Sequence, residues 1–290
     1  MPRFGGVRGG SVPLVVRIAE LHCYPIKGCA GTALADSRLT PAGLDQDRAF
    51  MVVDPEGIGR TQRRMPALAR IRPSVEPGRL VLNAPDVEPL AFDVREDGPR
   101  IDVEMLGKPM RGIDQGEDAA RWLSDFLGAP NRLVRVPPDH DRVTDGETPG
   151  TAGYADGAAV LVTSLASLKE LNGRLGERGA VELPMNRFRP NIVVDGWDEP
   201  FLEDRARVVR AGDVELGFTK LAIRCVVTTV DQLTGVKSGP EPLRTLAAYR
   251  MIGKSGVAFG VKFAVTRTGS VSIGDELAIE KWDETVEQGS

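Results

Sequence analysis

The stretch Leu221-Ala222-Ile223-Arg224-Cys225-Val226-Val227-Thr228-Thr229-Val230-Asp231 determines how the rest of the chain is interpreted. β-branched and apolar residues dominate it and charges are few, a pattern typical of a buried strand. A guanidinium next to a thiol favours the thiolate, which is the form of cysteine that binds metals and acts as a nucleophile. Arg224 therefore makes Cys225 a candidate ligand or nucleophile. The alternative is ordinary core filling, since a free cysteine behaves as a small buried hydrophobe.

Composition limits the classes of protein to consider. The 290 residues are 41% hydrophobic, enough for one large domain or two modest ones with real cores. A net charge of −4 argues against nucleic acid or an anionic membrane surface as the main partner, because those need a broad positive field. Cys23, Cys29 and Cys225 form no disulfide framework or zinc spacing and fit a reducing cytoplasm. Two distant histidines, His22 and His140, disfavour a hydrolase triad or a multi-histidine metal site.

Strand-like runs separated by Pro- and Gly-rich turns predict the domain organisation. Between residues 71 and 103 this alternation favours an antiparallel barrel or sandwich, whereas residues 137–154 are polar and aperiodic, as at a domain boundary. The predicted class is mainly β with α, an α+β protein with two β-barrel domains, the second carrying peripheral helices. The predicted segments are a loose leader without a secretory or membrane-spanning run at 1–14, a first domain at 15–136, a linker at 137–156, a second domain at 157–282 and a tail at 283–290.

Two helices are predicted from apolar spacing. Acidic residues at 117 and 118 begin the first, and Gly128 is placed to end it. The second follows Thr163 and Ser164, either of which is the expected N-cap. A helix start also presents free N–H groups to an anion, so a phosphate contact at Thr163 or Ser164 is the alternative.

Two turns present basic residues. Lys27 lies beside Gly28, where a close backbone approach and a point charge suit a phosphate, although a solvated lysine at a strand end is the simpler interpretation. Arg48 ends the turn that begins at Asp45 and is directed from the mouth of the following strand, unless it pairs with Asp45 or Asp47.

The segment Arg187-Phe188-Arg189 is the strongest anion-binding candidate in the sequence. In an extended backbone both guanidiniums project to one face, where they repel each other unless an anion lies between them. Pairing of each arginine with a nearby carboxylate, such as Glu182 or Asp195, is the alternative.

Together these segments resemble the MOSC family with its N-terminal β-barrel domain, over roughly residues 16 to 280. The matching pieces are Tyr24-Pro25-Ile26-Lys27-Gly28, Asp45-Gln46-Asp47-Arg48, Thr163-Ser164, Asn186-Arg187-Phe188-Arg189-Pro190-Asn191, Arg224-Cys225 and Glu241-Pro242-Leu243-Arg244. The resemblance implies that Cys225 is the catalytic residue and binds molybdenum. It further implies that molybdopterin is held by Lys27, Gly28, Arg48, Thr163, Ser164, Arg187, Arg189, Asn191 and Arg224. Many relatives have serine at the position of Gly28, which implies that one side-chain hydrogen bond to the cofactor is absent here unless a backbone N–H replaces it.

The function implied by the resemblance is that of a molybdenum-cofactor-dependent oxidoreductase that reduces small N-hydroxylated substrates. Some bacterial relatives append a cysteine-rich iron–sulfur domain, and this chain carries no such cysteines. Electrons are therefore expected from a separate flavin, haem or iron–sulfur protein. Eukaryotic relatives are tethered to a membrane, whereas this protein is expected to be free in the cytoplasm, without a membrane or nucleic-acid partner. The competing hypothesis is a molybdenum-cofactor or sulfur carrier without turnover of its own.

Overall fold

The structure is a computed structural model that describes residues 15–283. Strands dominate this part of the chain, so the predicted mainly β, α+β class is confirmed. The predicted leader and residues 284–290 of the predicted tail lie outside the described residues. The first thirteen strands are β1 (Arg17–Cys23), β2 (Thr32–Leu34), β3 (Asp36–Thr40), β4 (Gly43–Leu44), β5 (Phe50–Val53), β6 (Arg72–Glu76), β7 (Arg79–Ala84), β8 (Val87–Asp93), β9 (Arg100–Met105), β10 (Lys108–Asp114), β11 (Arg132–Arg135), β12 (Val143–Thr144) and β13 (Gly150–Thr151). The remaining strands are β14 (Val160–Ser164), β15 (Ile192–Asp195), β16 (Ala206–Ala211), β17 (Val214–Ile223), β18 (Met251–Ile252), β19 (Gly256–Arg267), β20 (Gly269–Ser272) and β21 (Ala278–Trp282).

The largest sheet contains nine strands and forms the wall behind the candidate site. Its order is β2-β1-β15-β14-β19-β17-β16-β21, with β18 paired to β19. All of its pairs are antiparallel except β14 with β15, which run parallel. Every residue of β14 is buried, as expected for a central strand covered on both faces. Most apolar side chains of this sheet form one core, whereas Val193, Val257 and Phe259 pack in a second core.

Smaller sheets complete the fold. The first half of the chain contributes the sheets β5-β11-β10-β9 and β6-β7-β8, which share a separate core with the first helix. The two halves interleave, because β1 and β2 belong to the nine-stranded sheet and β20 pairs with β3. The predicted linker contains the short hairpin β12-β13 and buries Tyr154 completely. Residues 137–156 thus pack against both halves.

Three α-helices are present in the described residues: α1 (Glu117–Leu127), α2 (Leu165–Glu177) and α3 (Leu243–Ala247). Gly128 ends α1 in the left-handed conformation, with φ 69° and its N–H bonded to the Ser124 carbonyl, as the sequence predicted. Ser164, and not Thr163, is the N-cap of α2, since its hydroxyl accepts the Ser167 N–H at 3.1 Å. None of the helices within residues 15–283 has the length and hydropathy needed to cross a bilayer.

The interpretation of residues 221–231 as one buried strand is wrong after Ile223. The strand β17 ends there, and a 3-10 helix follows at Val226–Thr229. Thr228 and Thr229 donate their hydroxyls to the carbonyls three residues upstream, at 3.0 and 2.8 Å. These local bonds compete with sheet pairing, so a Val/Thr run that suits a strand turns instead. Cys225 therefore lies just beyond the strand, at the start of the 3-10 helix.

The expected extended backbone at residues 187–189 is also wrong. Met185–Arg187 form a 3-10 helix, and Arg189 adopts a left-handed φ of 57°. Phe188 is fully buried and stacks on Phe259, with the ring centroids 3.8 Å apart. The turn sends the two neighbouring arginines in different directions, instead of placing both on one face of a strand.

Candidate functional site

A cavity of about 170 Å³ opens where β17 ends, beside the loop that follows β1. Cys225 lies in its wall, together with side chains from both halves of the chain. The lining residues are Lys27, Gly28, Arg48, Thr61, Gln62, Ala155, Asp156, Ala158, Val160, Leu161, Phe188, Arg189, Asn191, Ile223, Arg224, Cys225, Val227, Thr228 and Lys262. Five of these side chains are cationic and one is a carboxylate, so a local positive site exists inside an acidic protein.

Lys27 and Asp156 form an ion pair in this pocket. Lys27 is 7% exposed, and its ammonium donates to the Asp156 carboxylate and, at 2.9 Å, to the Tyr154 carbonyl. Burial lowers the pKa of Lys27, and the attraction of Asp156 opposes that change. Burial also opposes ionisation of Asp156, but Lys27 outweighs it and brings the pKa of Asp156 down to about 2. Asp156 is therefore ionised at neutral pH, and its attraction favours the charged form of Lys27.

Arg48 is held in place by partners from both halves of the chain. Its guanidinium contacts the Asp47 carboxylate at 2.5 Å and donates to Asn191 Oδ1 at 3.0 Å. It also donates to the main-chain carbonyl of Arg189 at 3.1 Å and lies 4.3 Å from the centroid of the Tyr24 ring. Its backbone is left-handed, with φ 48°, which directs the side chain out of the turn before β5. This explains how an arginine one residue after Asp47 reaches the pocket.

The other three cations form no ion pair with a carboxylate within residues 15–283, and in this sense they are uncompensated. Arg189 lies 4.3 Å from the Tyr24 ring centroid and donates to Gln232 Oε1 at 3.2 Å. Arg224 donates to the Phe188 carbonyl at 2.7 Å, and its buried Nε has no hydrogen-bond partner. Lys262 donates to the main-chain carbonyl of Asp156.

Burial lowers the pKa of these three uncompensated cations. The values for Arg189 and Arg224 fall to about 10, and that of Lys262 falls to about 8. All three stay protonated at neutral pH, so their charge is available to an anion that enters the pocket. A buried donor without a partner, such as Arg224 Nε, is costly unless a ligand satisfies it.

Cys225 is the cysteine that the pocket exposes. It is half-buried, whereas Cys23 is 5% exposed and Cys29 is inaccessible. Burial raises the pKa of both buried thiols, that of Cys29 to about 12, so neither is an available thiolate. The soft sulfur ligand and the uncompensated cations therefore occupy the same cavity.

Seven of the ten predicted site residues line this pocket: Lys27, Gly28, Arg48, Arg189, Asn191, Arg224 and Cys225. Thr163, Ser164 and Arg187 do not. The buried Thr163 hydroxyl faces the Met185 sulfur at 3.3 Å, and Ser164 caps α2 and contacts Glu203. Arg187 bonds Ser238 Oγ at 2.9 Å and Asp231 at 3.0 Å, a carboxylate other than those considered from the sequence.

Sequence reasoning missed Asp156, Lys262 and Gln62. Asp156 lies in the polar segment that was interpreted as a linker, where nothing distinguishes it from its acidic neighbours. Lys262 had a signal, because it interrupts the apolar strand between Val261 and Phe263, both buried. A lone lysine on the alternate face of a central strand usually marks a polar cavity.

The fold and the pocket define a class: a β protein with a cationic pocket that presents one accessible thiol. Family models agree with this class, since the MOSC N-terminal beta barrel domain matches residues 15–130 and the MOSC domain matches residues 149–278. The chain belongs to the MOSC family.

Two relatives match most of the chain. The mitochondrial amidoxime-reducing component 1 of Mus musculus is 35% identical over 281 residues, which cover 90% of this chain and 81% of the relative. The protein of the same name from Homo sapiens is 34% identical over 282 residues, with 90% and 82% covered. Among solved structures, the YUAD protein from Bacillus subtilis covers 91% of this chain and 94% of its own, but a TM-score of 0.41 and 9% identity are too low to support a conclusion.

Proposed function

We propose that this protein is a molybdenum-cofactor-dependent oxidoreductase that reduces small N-hydroxylated compounds. The observation that carries the proposal is the convergence of the Cys225 thiol with three uncompensated cations, Arg189, Arg224 and Lys262, on one cavity. The printed names of the mouse and human relatives describe amidoxime reduction, and an amidoxime is an N-hydroxylated compound.

The donor set of the pocket fits a phosphorylated pterin. A phosphate monoester carries close to two negative charges at neutral pH, and guanidiniums match its oxygens in a bidentate geometry. Unit charges 4 Å apart attract by about 4 kcal/mol at an effective dielectric constant near 20. Arg189 and Arg224 would hold the anionic end, because they have no competing carboxylate, and Arg224 Nε would gain the partner that it lacks.

The remaining predicted cofactor residues have supporting roles in this proposal. Lys27 and Arg48 are already paired with Asp156 and Asp47. They therefore contribute to the positive potential and the shape of the pocket, but they are not unpaired charges. Gly28 lines the pocket with its backbone, whose left-handed φ of 81° favours glycine. Asn191 is buried and fixes Arg48 through its Oδ1, so it acts on the site by holding that arginine.

The reaction cleaves the N–O bond of the substrate with two electrons and two protons, and the oxygen leaves as water. When bound, the cofactor supplies the two-electron exchange, and the Cys225 thiolate is the soft ligand that the chain offers to molybdenum. Ile223 and Val227 give the pocket wall beside the sulfur an apolar surface. Lys262 Nζ holds a proton inside the same cavity, since burial brings its pKa to about 8.

The proposal includes a separate electron donor, a flavin, haem or iron–sulfur protein, and a small-molecule substrate. A cytoplasmic location, without a nucleic-acid or membrane partner, stays a prediction from the sequence; the relatives named above are mitochondrial. Thr163, Ser164 and Arg187 have no direct contact with the pocket in this proposal, because each is held by other partners.

Metal analysis combined with turnover tests the proposal. The full chain is produced in a host that makes molybdopterin, and its molybdenum content is measured for the wild type, Cys225→Ala and the control Cys23→Ala. Cys23 is a buried thiol outside the pocket, so its removal should leave both metal content and activity near wild type. Cys225→Ala should lose reduction of benzamidoxime by a reduced viologen dye and should retain less molybdenum.

Two outcomes would contradict the proposal in different ways. A wild-type protein that carries molybdenum but does not turn over benzamidoxime favours the carrier hypothesis. A wild-type protein without molybdenum from a competent host removes the cofactor assignment altogether.

A further inference from the structure

Two glutamine side chains, 170 positions apart in sequence, form a reciprocal amide pair at the edge of the pocket. Gln62 Nε2 donates to Gln232 Oε1 at 3.0 Å, and Gln232 Nε2 donates to Gln62 Oε1 at 2.9 Å. Gln62 is 1% exposed and lines the cavity. The pair therefore joins the first half of the chain to the turn that follows the Cys225 3-10 helix.

The outer contacts of the pair determine the orientation of both amides. The second N–H of Gln62 donates to the Gly28 carbonyl at 2.6 Å, and that of Gln232 donates to the Val230 carbonyl at 3.0 Å. Rotating either amide by half a turn would place its oxygen against a carbonyl oxygen. Every amide hydrogen in the pair is used, so the network is fully satisfied.

The pair also contacts the Arg189 guanidinium. Gln232 Oε1 accepts from Arg189 at 3.2 Å, which is the one side-chain hydrogen bond of this guanidinium within the described residues. An amide oxygen has a partial charge and no net charge. It fixes the direction of the guanidinium without neutralising it, whereas a carboxylate at the same place would cancel the positive charge.

Arg187 stabilises the same network from outside the pocket. It binds one oxygen of Asp231 at 3.0 Å, and the other oxygen accepts the N–H groups of Leu233 and Thr234 at 3.1 and 2.8 Å. The turn that carries Gln232 is thereby anchored on both sides. This gives an indirect role to an arginine that the sequence suggested as a cofactor contact.

We propose that the Gln62–Gln232 pair is a positioning clamp that directs the Arg189 guanidinium into the pocket without neutralising its charge. The inference rests on the proposed function for the nature of the anion that Arg189 meets. Gln62 and Gln232 are positioning residues, since they act through Arg189 and through the loop after β1 that contains Gly28. Without the clamp, Arg189 keeps its contact with the Tyr24 ring and loses its directional partner.

Anion affinity of the cofactor-free full chain provides one test. Inorganic phosphate is titrated calorimetrically into the wild type, Gln62→Met, Gln232→Met and the double variant. Gln115→Met is the matched control, because Gln115 is 3% exposed and makes three side-chain hydrogen bonds far from the cavity. Either clamp variant should weaken phosphate binding roughly tenfold, the cost of one hydrogen bond to a charged group. The double variant should bind no more weakly than either single variant, since one substitution already breaks the pair.

Arginine side-chain NMR provides the second test and does not depend on any ligand. The Arg189 guanidinium signal, assigned by its loss in Arg189→Lys, should show slow rotation in the wild type and Gln115→Met, and fast rotation in both clamp variants. Unchanged Arg189 rotation in Gln232→Met, or phosphate affinity within twofold of wild type in both clamp variants, overturns the clamp. If the wild type binds no phosphate, the proposed function loses its anion site, and the NMR comparison still decides the clamp.

Discussion

The wild type should lose stability as the pH rises through about 7, and replacing Glu203 with glutamine should abolish this loss. Glu203 is completely buried and forms a ring of three oxygen contacts with two serines. Ser167 Oγ lies 2.7 Å from Glu203 Oε1, Ser164 Oγ lies 3.0 Å from Glu203 Oε2, and the two hydroxyl oxygens are 2.8 Å apart. Three such contacts need three protons, and two hydroxyls supply two. The third must come from a protonated carboxyl group.

The magnitude follows from the pKa of this carboxyl group. Burial raises the pKa of Glu203 from 4.5 to about 7, and the neighbouring Asp204 adds to the rise. The native state therefore keeps a proton that the unfolded chain releases, so the stabilisation is fully present below pH 4.5 and is lost as the pH rises through about 7. The complete loss is about 3 kcal/mol, because one pKa unit is worth about 1.4 kcal/mol.

Denaturant unfolding at two pH values measures this effect. Glutamine can close the same ring by donating one N–H and accepting with its oxygen, but it does not titrate. The difference in unfolding free energy between Glu203→Gln and the wild type should grow by about 2.5 kcal/mol between about pH 5 and about pH 8.5. Glu182→Gln, at an exposed glutamate, is the control and should show no such change. A difference between Glu203→Gln and wild type that stays constant with pH would refute the reasoning.

Substitutions at three further positions test the site and its support. Gly28→Ala should lower the unfolding free energy by about 1–2 kcal/mol, because φ is 81° and the new methyl would lie 3.3 Å from a leucine carbon; wild-type stability would contradict this. The sulfate affinity of the wild type should decline as the pH rises through about 8, because Lys262 loses its proton there. Lys262→Met should abolish this decline. Titration calorimetry below and above pH 8 measures the affinity, and an equal decline in both proteins would contradict the role of Lys262. Phe188→Ala should lower the free energy of unfolding by about 3–5 kcal/mol, because the stack on Phe259 is lost, and Phe188→Leu should lower it by less. Urea unfolding measures both changes, and equal losses in the two variants would contradict the packing argument.

Three of the four predicted site arginines show where sequence reasoning fails. Arg224 and Arg189 reach the pocket, whereas Arg187 turns away to Asp231. The sequence offers all three as equivalent basic residues beside apolar ones. Their separation depends on the 3-10 helix at Met185–Arg187 and on the left-handed backbone at Arg189, which tertiary contacts impose.

Ser164 illustrates the opposite case. The sequence left two possibilities open, a helix cap and a phosphate contact. The capping hydrogen bond is local and was predictable from the residue type, but the contact with Glu203 joins positions 39 apart. Only the folded chain shows that the Ser164 hydroxyl is fully used by its ring partners.

The sequence by itself determined the mainly β class, the ends of α1, and the candidacy of Cys225, Lys27, Arg48, Arg189 and Arg224. These features depend on residue type and on neighbours close along the chain, so the pattern of residues contains them. Tertiary structure alone decided that Asp156, Lys262 and Gln62 line the same cavity, and that Gln232 pairs with Gln62 at its edge. Their partners lie up to 170 positions away in the sequence. Such contacts form only when the two halves of the chain pack together, so local residue preferences cannot predict them.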